Sequence, residues 1–234
     1  MLGTLQRNTR ITDVYFLPDA KYQYVVNNSC QHMPHLRNVY LPESITVIGS
    51  DAFAETPELN TINLPDGITH IHDQAFCNFG ALGSNLGAYI PKLPAALQEI
   101  GARAFYNTGS RISITELPPT LQRVGTQAFM GCPNVAVSHF GGAGSALTSI
   151  GFSAFRNTGL NAAGITEITI EKGVALETGL IDAIQNTYGY STFSGGYSNV
   201  TKIIIGFKHK YDTDAEFIYD IFNEVRTVEV QVLE

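Results

Sequence analysis

Ile48-Gly49-Ser50-Asp51-Ala52-Phe53 returns along the chain as Ile71-His72-Asp73-Gln74-Ala75-Phe76 and Ile100-Gly101-Ala102-Arg103-Ala104-Phe105. It returns again as Val124-Gly125-Thr126-Gln127-Ala128-Phe129 and Ile150-Gly151-Phe152-Ser153-Ala154-Phe155. Successive Phe residues lie 23, 29, 24 and 26 positions apart. Periods of this size mark solenoids, in which each repeat is one supersecondary unit. A second motif keeps phase with the first: Leu41-Pro42, Leu64-Pro65, Leu93-Pro94 and Leu117-Pro118 each begin twelve residues before the repeat's Phe. Strand-like segments run into the Leu, as in Leu36-Arg37-Asn38-Val39-Tyr40-Leu41 and Leu59-Asn60-Thr61-Ile62-Asn63-Leu64, and Ile165-Thr166-Glu167-Ile168-Thr169-Ile170 has the same form.

One such repeat cannot bury its apolar side alone, so neighbours must stack and share a core. Alternation along the strands turns Leu36, Val39 and Leu41 inward, with Leu59, Ile62 and Leu64 above them and Ile165, Ile168 and Ile170 further on. Each Ala-Phe pair is expected to add a ladder on the far wall, Ala giving room and Phe filling it. The Pro after each strand has no N–H to donate and ends the pairing there.

The pattern Leu-x-x-Ile-x-Leu-Pro followed by Leu-x-x-Ile-Gly-x-x-Ala-Phe resembles the BspA-like leucine-rich-repeat family over about residues 11–174. Departures are Ser29-Cys30 near the first Ala-Phe position, His72 for a Gly, and Glu171 for the sixth Pro. Gly-rich insertions near Gly80–Gly87 and Gly141–Ser145 lengthen two repeats. The expected fold is an α/β-type repeat solenoid: a right-handed coil with stacked short strands. At the strand spacing of about 4.8 Å, roughly eight or nine rungs make a rod of roughly 40 Å.

The ends need caps. Ile11–Pro18 reads as a degenerate first rung. Beyond the repeats, residues 175–186 are helix-compatible, Val200–Ile205 is a strand candidate, Ala215–Val225 carries apolar residues at helical spacing, and Val228, Val230 and Val232 alternate as a final strand. The division expected is therefore 1–174 as repeats with an irregular first rung, and 175–234 as a strand–helix–strand capping unit that continues the solenoid and closes its core.

Of 234 residues, 44% are hydrophobic and 15% charged, and the net charge is −7 with 14 Lys and Arg scattered along the chain. No basic stripe exists to release counterions from phosphates, so nucleic acid is not the expected partner. An anionic membrane surface is repelled for the same reason, and no segment is long and apolar enough for membrane insertion. Met1-Leu2-Gly3-Thr4-Leu5-Gln6-Arg7 opens no signal peptide. Three cysteines are too few for a disulfide framework and read as buried thiols.

No catalytic constellation emerges: Gly151-Phe152-Ser153 belongs to the repeat, and Gly141-Gly142-Ala143-Gly144-Ser145 lacks the Lys of a phosphate cradle. Cys30-x-His32-x-x-His35 has zinc-ligand residue types. Cys30, however, stands close to a buried Phe position, and the two His fall in a connecting turn, so no metal is assigned. His70 and His72 share a strand face, and two ligands do not make a site. No cofactor is expected.

The chain is thus expected to bind with its surface. Outward strand positions form a two-dimensional array in which Tyr40, Asn63, Lys92 and Glu116 fall in one row. The loop Tyr188–Ser198 pairs Tyr188, Tyr190, Phe193 and Tyr197 with Gly and Ser, the composition of antibody-like contact loops; the alternative is a linker, or aromatics folded onto the last rung. The resemblance implies an adhesin-like or surface-displayed domain recognising protein or glycan, at the cell surface or secreted. The competing reading is a structural component, an appendage or virion part, with the solenoid as spacer or assembly interface. The oligomeric state stays open.

Overall fold

The computed structural model describes residues 5–17, 22–79, 90–159, 164–176, 199–208, 213–216, 218 and 228–233. Short parallel strands stack coil upon coil along two walls, and a third wall is built from turns. The first wall begins with β1 (Asp13–Tyr15), β3 (Asn38–Tyr40) and β5 (Thr61–Ile62). It passes through the single bridges Ile90 to Ile112 and Ile114 to Val135. It resumes as β9 (His139–Phe140), β11 (Glu167–Ile170), β13 (Lys202–Ile205) and β14 (Glu229–Val232). The second wall is one sheet in the order β2 (Tyr24–Val25), β4 (Val47–Ile48), β6 (His70–Ile71), β7 (Glu99–Ile100), β8 (Arg123–Val124), β10 (Ser149–Ile150) and β12 (Ala175–Leu176).

Registry on the first wall puts Val14 beside Val39 beside Ile62, and Ile168 beside Ile203 beside Val230. These are the inward positions: Leu36, Val39, Leu41, Leu59, Ile62, Ile168 and Ile170 are all buried, and Leu64 and Ile165 partly so. The Pro carbonyl after each strand turns the corner, accepting from the N–H three residues on: Ile45 to Pro42, Ile68 to Pro65, Leu97 to Pro94 and Leu121 to Pro118, all within 3.1 Å. Val174 N–H bonds Glu171 O in the same way at 3.3 Å, so Glu171 fills the Pro position without breaking the turn.

The third wall carries the Phe ladder. Phe53, Phe76, Phe105, Phe129 and Phe155 are fully buried, with successive ring centroids 5.3–5.4 Å apart. Their backbone is a string of turns rather than a strand. In each coil the residues two before and two after the Phe are left-handed, as with Asp51 and Glu55 (φ 55° and 56°) or Arg103 and Asn107 (φ 55° and 53°). That geometry is unfavourable for residues with a Cβ. It aims alternate N–H groups at the next coil: Asp51 to Asp73 O, Phe53 to Ala75 O and Glu55 to Cys77 O, at 2.8–3.0 Å. The inter-coil bonds offset the conformational cost.

The same bonding shows what stands in for Phe at the front. Cys30 N–H bonds Ala52 O, and Leu5 N–H bonds Ser29 O, so Cys30 and then Leu5 occupy the Phe position of the first two coils. Cys30, Phe53, Phe76, Phe105, Phe129 and Phe155 mark about six complete turns. The larger rung number expected from the sequence counts terminal strands that, among the described residues, extend only the first wall.

The second wall explains the recurrent Gly. A Cβ on Gly125 would lie 2.5 Å from the Gly101 carbonyl carbon and 2.6 Å from Ala102 N, because adjacent coils meet backbone to backbone there.

Two expectations about the last third need correction. Ala175-Leu176, read as the start of a helix-compatible stretch, are strand β12, and Ala175 N–H bonds Thr148 O at 2.8 Å. The α/β character is not seen: among the described residues helix amounts to one 3-10 turn, Gly109–Arg111, and to residues 214–216 and 218. Most of the expected helix Ala215–Val225 lies outside the described residues. The solenoid turns its corners with tight turns, which need no helix. β13 and β14 do continue the first wall in parallel register. The last strand leaves Val232 46% and Leu233 39% exposed, and most of the expected capping unit lies outside the described residues.

Candidate binding surface

Each outward position on the first wall is set by the inward residue beside it. With Val14 and Val39 in the core, Tyr15 and Tyr40 point out side by side. Their rings stack with centroids 4.7 Å apart and planes 8° from parallel, while 65% of Tyr15 and 41% of Tyr40 remain exposed. Tyr15 thus extends the outward row beside Tyr40. The signal was present in the paired dipeptides Val14-Tyr15 and Val39-Tyr40. Leu17, Tyr22 and Tyr24 are exposed on the same first coil.

Asn63 is exposed but its amide is occupied: Oδ1 accepts from Leu41 N–H at 2.8 Å and Nδ2 donates to Leu41 O at 2.7 Å. It replaces the ladder bonds that a strand would have made at this point. Lys92 Nζ sits 2.9 Å from Asp66 Oδ1, and the Asp66 carboxyl is held below the usual range by that ammonium and by Ala95 N–H. Glu116 is exposed and borders, with Lys92, Leu93 and Leu117, an open cleft of about 320 Å³. Of the four row residues, Tyr40 and Glu116 present their functional ends to solvent, whereas Asn63 and Lys92 hold neighbouring coils. Tyr188, Tyr190, Phe193 and Tyr197 lie outside the described residues.

The tempting metal cluster is pulled apart. Cys30 is buried in the ladder, its thiol pushed up to about 12 by burial. His32 and His35 project outward, where their Nδ1 atoms pair with Glu55 and Glu58 at 2.5 and 3.1 Å. Glu58 also receives Arg37 at 3.1 Å, and hydrogen bonds from His35 and then Arg37 keep its carboxyl below the ordinary value. His70 and His72 lie with ring centroids 6.2 Å apart, and Tyr24 meets the His72 ring edge-on at 6.3 Å across Gly49's coil. Among the described residues no group of three or more His, Cys, Asp or Glu side chains could hold a metal ion, and no helix is long and apolar enough to cross a membrane.

A sequence profile described as "BspA type Leucine rich repeat region" matches residues 7–85 and 88–175 with six copies. A search of curated proteins finds no match. Among solved structures, a leucine-rich repeat protein from Bacteroides ovatus ATCC 8483 is similar at 17% identity, covering 94% of this chain and 69% of that one, with a TM-score of 0.42. A leucine rich repeat protein of T. pallidum is similar at 23% identity, over 64% of this chain and 77% of its own, with a TM-score of 0.43. A leucine rich cell surface protein from Faecalibacterium prausnitzii A2-165 is similar at 18% identity, over 87% and 62%, with a TM-score of 0.41.

Proposed function

We propose, because this chain belongs to the BspA-type leucine-rich-repeat family, that it is a non-catalytic recognition module displayed at a surface, docking a protein or glycan on its outward side chains. The observation that carries this reading is the stacked pair Tyr15 and Tyr40 on the first wall. Exposed aromatics held in a fixed orientation offer large contact area with little side-chain entropy left to lose. Glu116 on its cleft adds a polar group further along the same row, and the aromatic loop Tyr188–Ser198 is proposed as a second contact element. Residues 175–234 are proposed to act as a capping unit continuing the solenoid, with a helix over Ala215–Val225; the parallel pairing of β11, β13 and β14 supports the continuation.

The test uses a panel of glycans and extracellular-matrix proteins immobilised for interferometry. Tyr40→Ser is expected to weaken the best binder at least tenfold while the melting curve stays within a few degrees. A loop variant with Tyr188, Tyr190, Phe193 and Tyr197 changed to Ser is measured in parallel. Undiminished binding by both variants would overturn the proposal.

A further inference from the structure

The residue before each Leu-Pro stands on the outward side of the first wall, and its chemistry decides whether two coils close on each other. Asn63 closes the seam below it: its amide accepts from Leu41 N–H at 2.8 Å and donates to Leu41 O at 2.7 Å. That clamp needs an acceptor and a donor on one short side chain, which an amide supplies. Two coils on, the same position is Glu116, and the Leu of the coil below it is Leu93. A carboxylate only accepts, so Glu116 has no proton to give Leu93 O. Among the described residues no hydrogen bond closes on Leu93 N–H or Leu93 O.

Spacing opens this seam further. Ile90 bridges Ile112, yet Leu93 follows Ile90 by three positions whereas Leu117 follows Ile112 by five. The later coil thus carries two more residues to the same Pro corner, and Thr115 and Glu116 are exposed. Between the two coils lies the open cleft of about 320 Å³, with Leu93, Leu117, Pro118 and Pro119 as apolar walls and Lys92 and Glu116 as its charged groups. Sites for small ligands run from about 300 to 1,000 Å³, so this one has room for a single long side chain.

The charges select which side chain. Lys92 is already neutralised, its ammonium bonding both Asp66 oxygens at 2.9 and 3.0 Å. The carboxylates of Asp66, Glu99 and Glu167 each hold a Lys or Arg of a neighbouring coil. Among the described residues that of Glu116 holds none. The cleft therefore offers two unsatisfied acceptors, the Glu116 carboxylate and Leu93 O, over apolar walls. A guanidinium carries five donors and no acceptor, grips a carboxylate with two of them, and rides on an aliphatic stem that packs against apolar surface. The net charge of −7 draws basic partners toward the molecule.

From this we propose that the cleft is an arginine pocket. An arginine of a protein partner lies between Leu93 and Leu117, with its guanidinium on the Glu116 carboxylate and on Leu93 O. The inference rests on the recognition reading and names the chemistry that one part of the outward row takes.

The probe is the capped tripeptide acetyl-Gly-Arg-Gly-amide, titrated into the isotope-labelled full chain and followed by amide NMR shifts. The amides of Leu93, Thr115, Glu116 and Leu117 should move and saturate, while those of the Phe ladder stay in place. Exchanging the arginine for citrulline, which has nearly its shape without its charge, should weaken binding about tenfold, the worth of a charge-assisted hydrogen bond. Glu116→Gln should weaken it as much and leave the melting curve unchanged, because Glu116 is exposed and holds no neighbour. Tyr40→Ser, which tests the recognition reading, should leave tripeptide binding intact, so the two readings fail separately. Unmoved amides around the cleft, equal binding of the citrulline peptide, or full binding by Glu116→Gln would each rule the arginine pocket out.

Discussion

Phe105 lies face to face with Phe129, ring centroids 5.4 Å apart and planes 1° from parallel, and its other face meets Phe76 at 5.3 Å and 5°. It is packed on both sides along the solenoid axis, whereas Phe53 has an aromatic neighbour on one side only and Cys30 on the other. Truncating Phe105 to Ala should cost about 3–5 kcal/mol, and Phe53→Ala less, since one ring contact rather than two is lost. Urea unfolding of the two variants, followed by circular dichroism, checks the order.

Two glycines should respond in opposite directions. Gly125→Ala drives a methyl into the backbone of the coil below and should cost about 3 kcal/mol or more. Gly67 has no atom nearer than Glu43 O at 3.8 Å to the place where a Cβ would be built. Gly67→Ala should raise stability by about 0.4–1 kcal/mol by restricting the unfolded chain. Paired melting curves decide; a harmless Gly125→Ala would mean that the coils are not in backbone contact.

Asn107 is left-handed (φ 53°) and its amide donates to Asn78 Oδ1 one coil below at 3.0 Å. Asn107→Val should lose about 1–2 kcal/mol to the backbone conformation alone. Asn107→Gly forfeits only the amide bond and should fall between Val and the parent. Chemical denaturation of the three proteins reads this ranking.

The cysteines should be graded by access. Burial raises the Cys30 and Cys132 thiols to about 12 and the Cys77 thiol to about 11, from an ordinary value of 9.0. Because the folded values are raised, the thiols contribute their full stability below pH 9. That contribution is lost as pH climbs through the folded values near 11 and 12. Iodoacetamide labelling of the native protein near pH 8, read by mass spectrometry, should modify Cys77 first and leave Cys30 and Cys132 protected until unfolding. Early labelling of Cys132 would contradict its place in the core.

The repeated part of this fold could be read from the chain because the same demand recurs in every coil. Ile-Gly, Ala-Phe and Leu-Pro each answer one packing requirement, and five copies of Ala-Phe leave the ladder unambiguous. What was hidden comes from single exceptions and from the backbone. Leu5 and Cys30 fill the Phe column without resembling Phe, and only their hydrogen bonds to Ser29 and Ala52 reveal it. The left-handed positions admit Asp51, Gln74, Arg103 and Gln127 alike, so no residue type announces them. On the outward row, polarity alone could not distinguish Asn63 and Lys92, which are used up between coils, from Tyr40 and Glu116, which are not. The dipeptides Val14-Tyr15 and Val39-Tyr40 carry the signal for the Tyr15–Tyr40 pair, and the register of the irregular first rung decides that the two rings stack.

The turn-built wall carries one further implication. From Asn28 through Asp51, Phe53 and Glu55 to Gln127 and Phe129, the inter-coil N–H groups all donate toward the following coil. Peptide dipoles arranged in this way add rather than cancel, as they do along an α-helix, so the wall has an electrical direction. Its carbonyls face the front and its N–H groups face the back. Along the described coils the front side of the wall therefore carries partial negative charge and the back side partial positive charge.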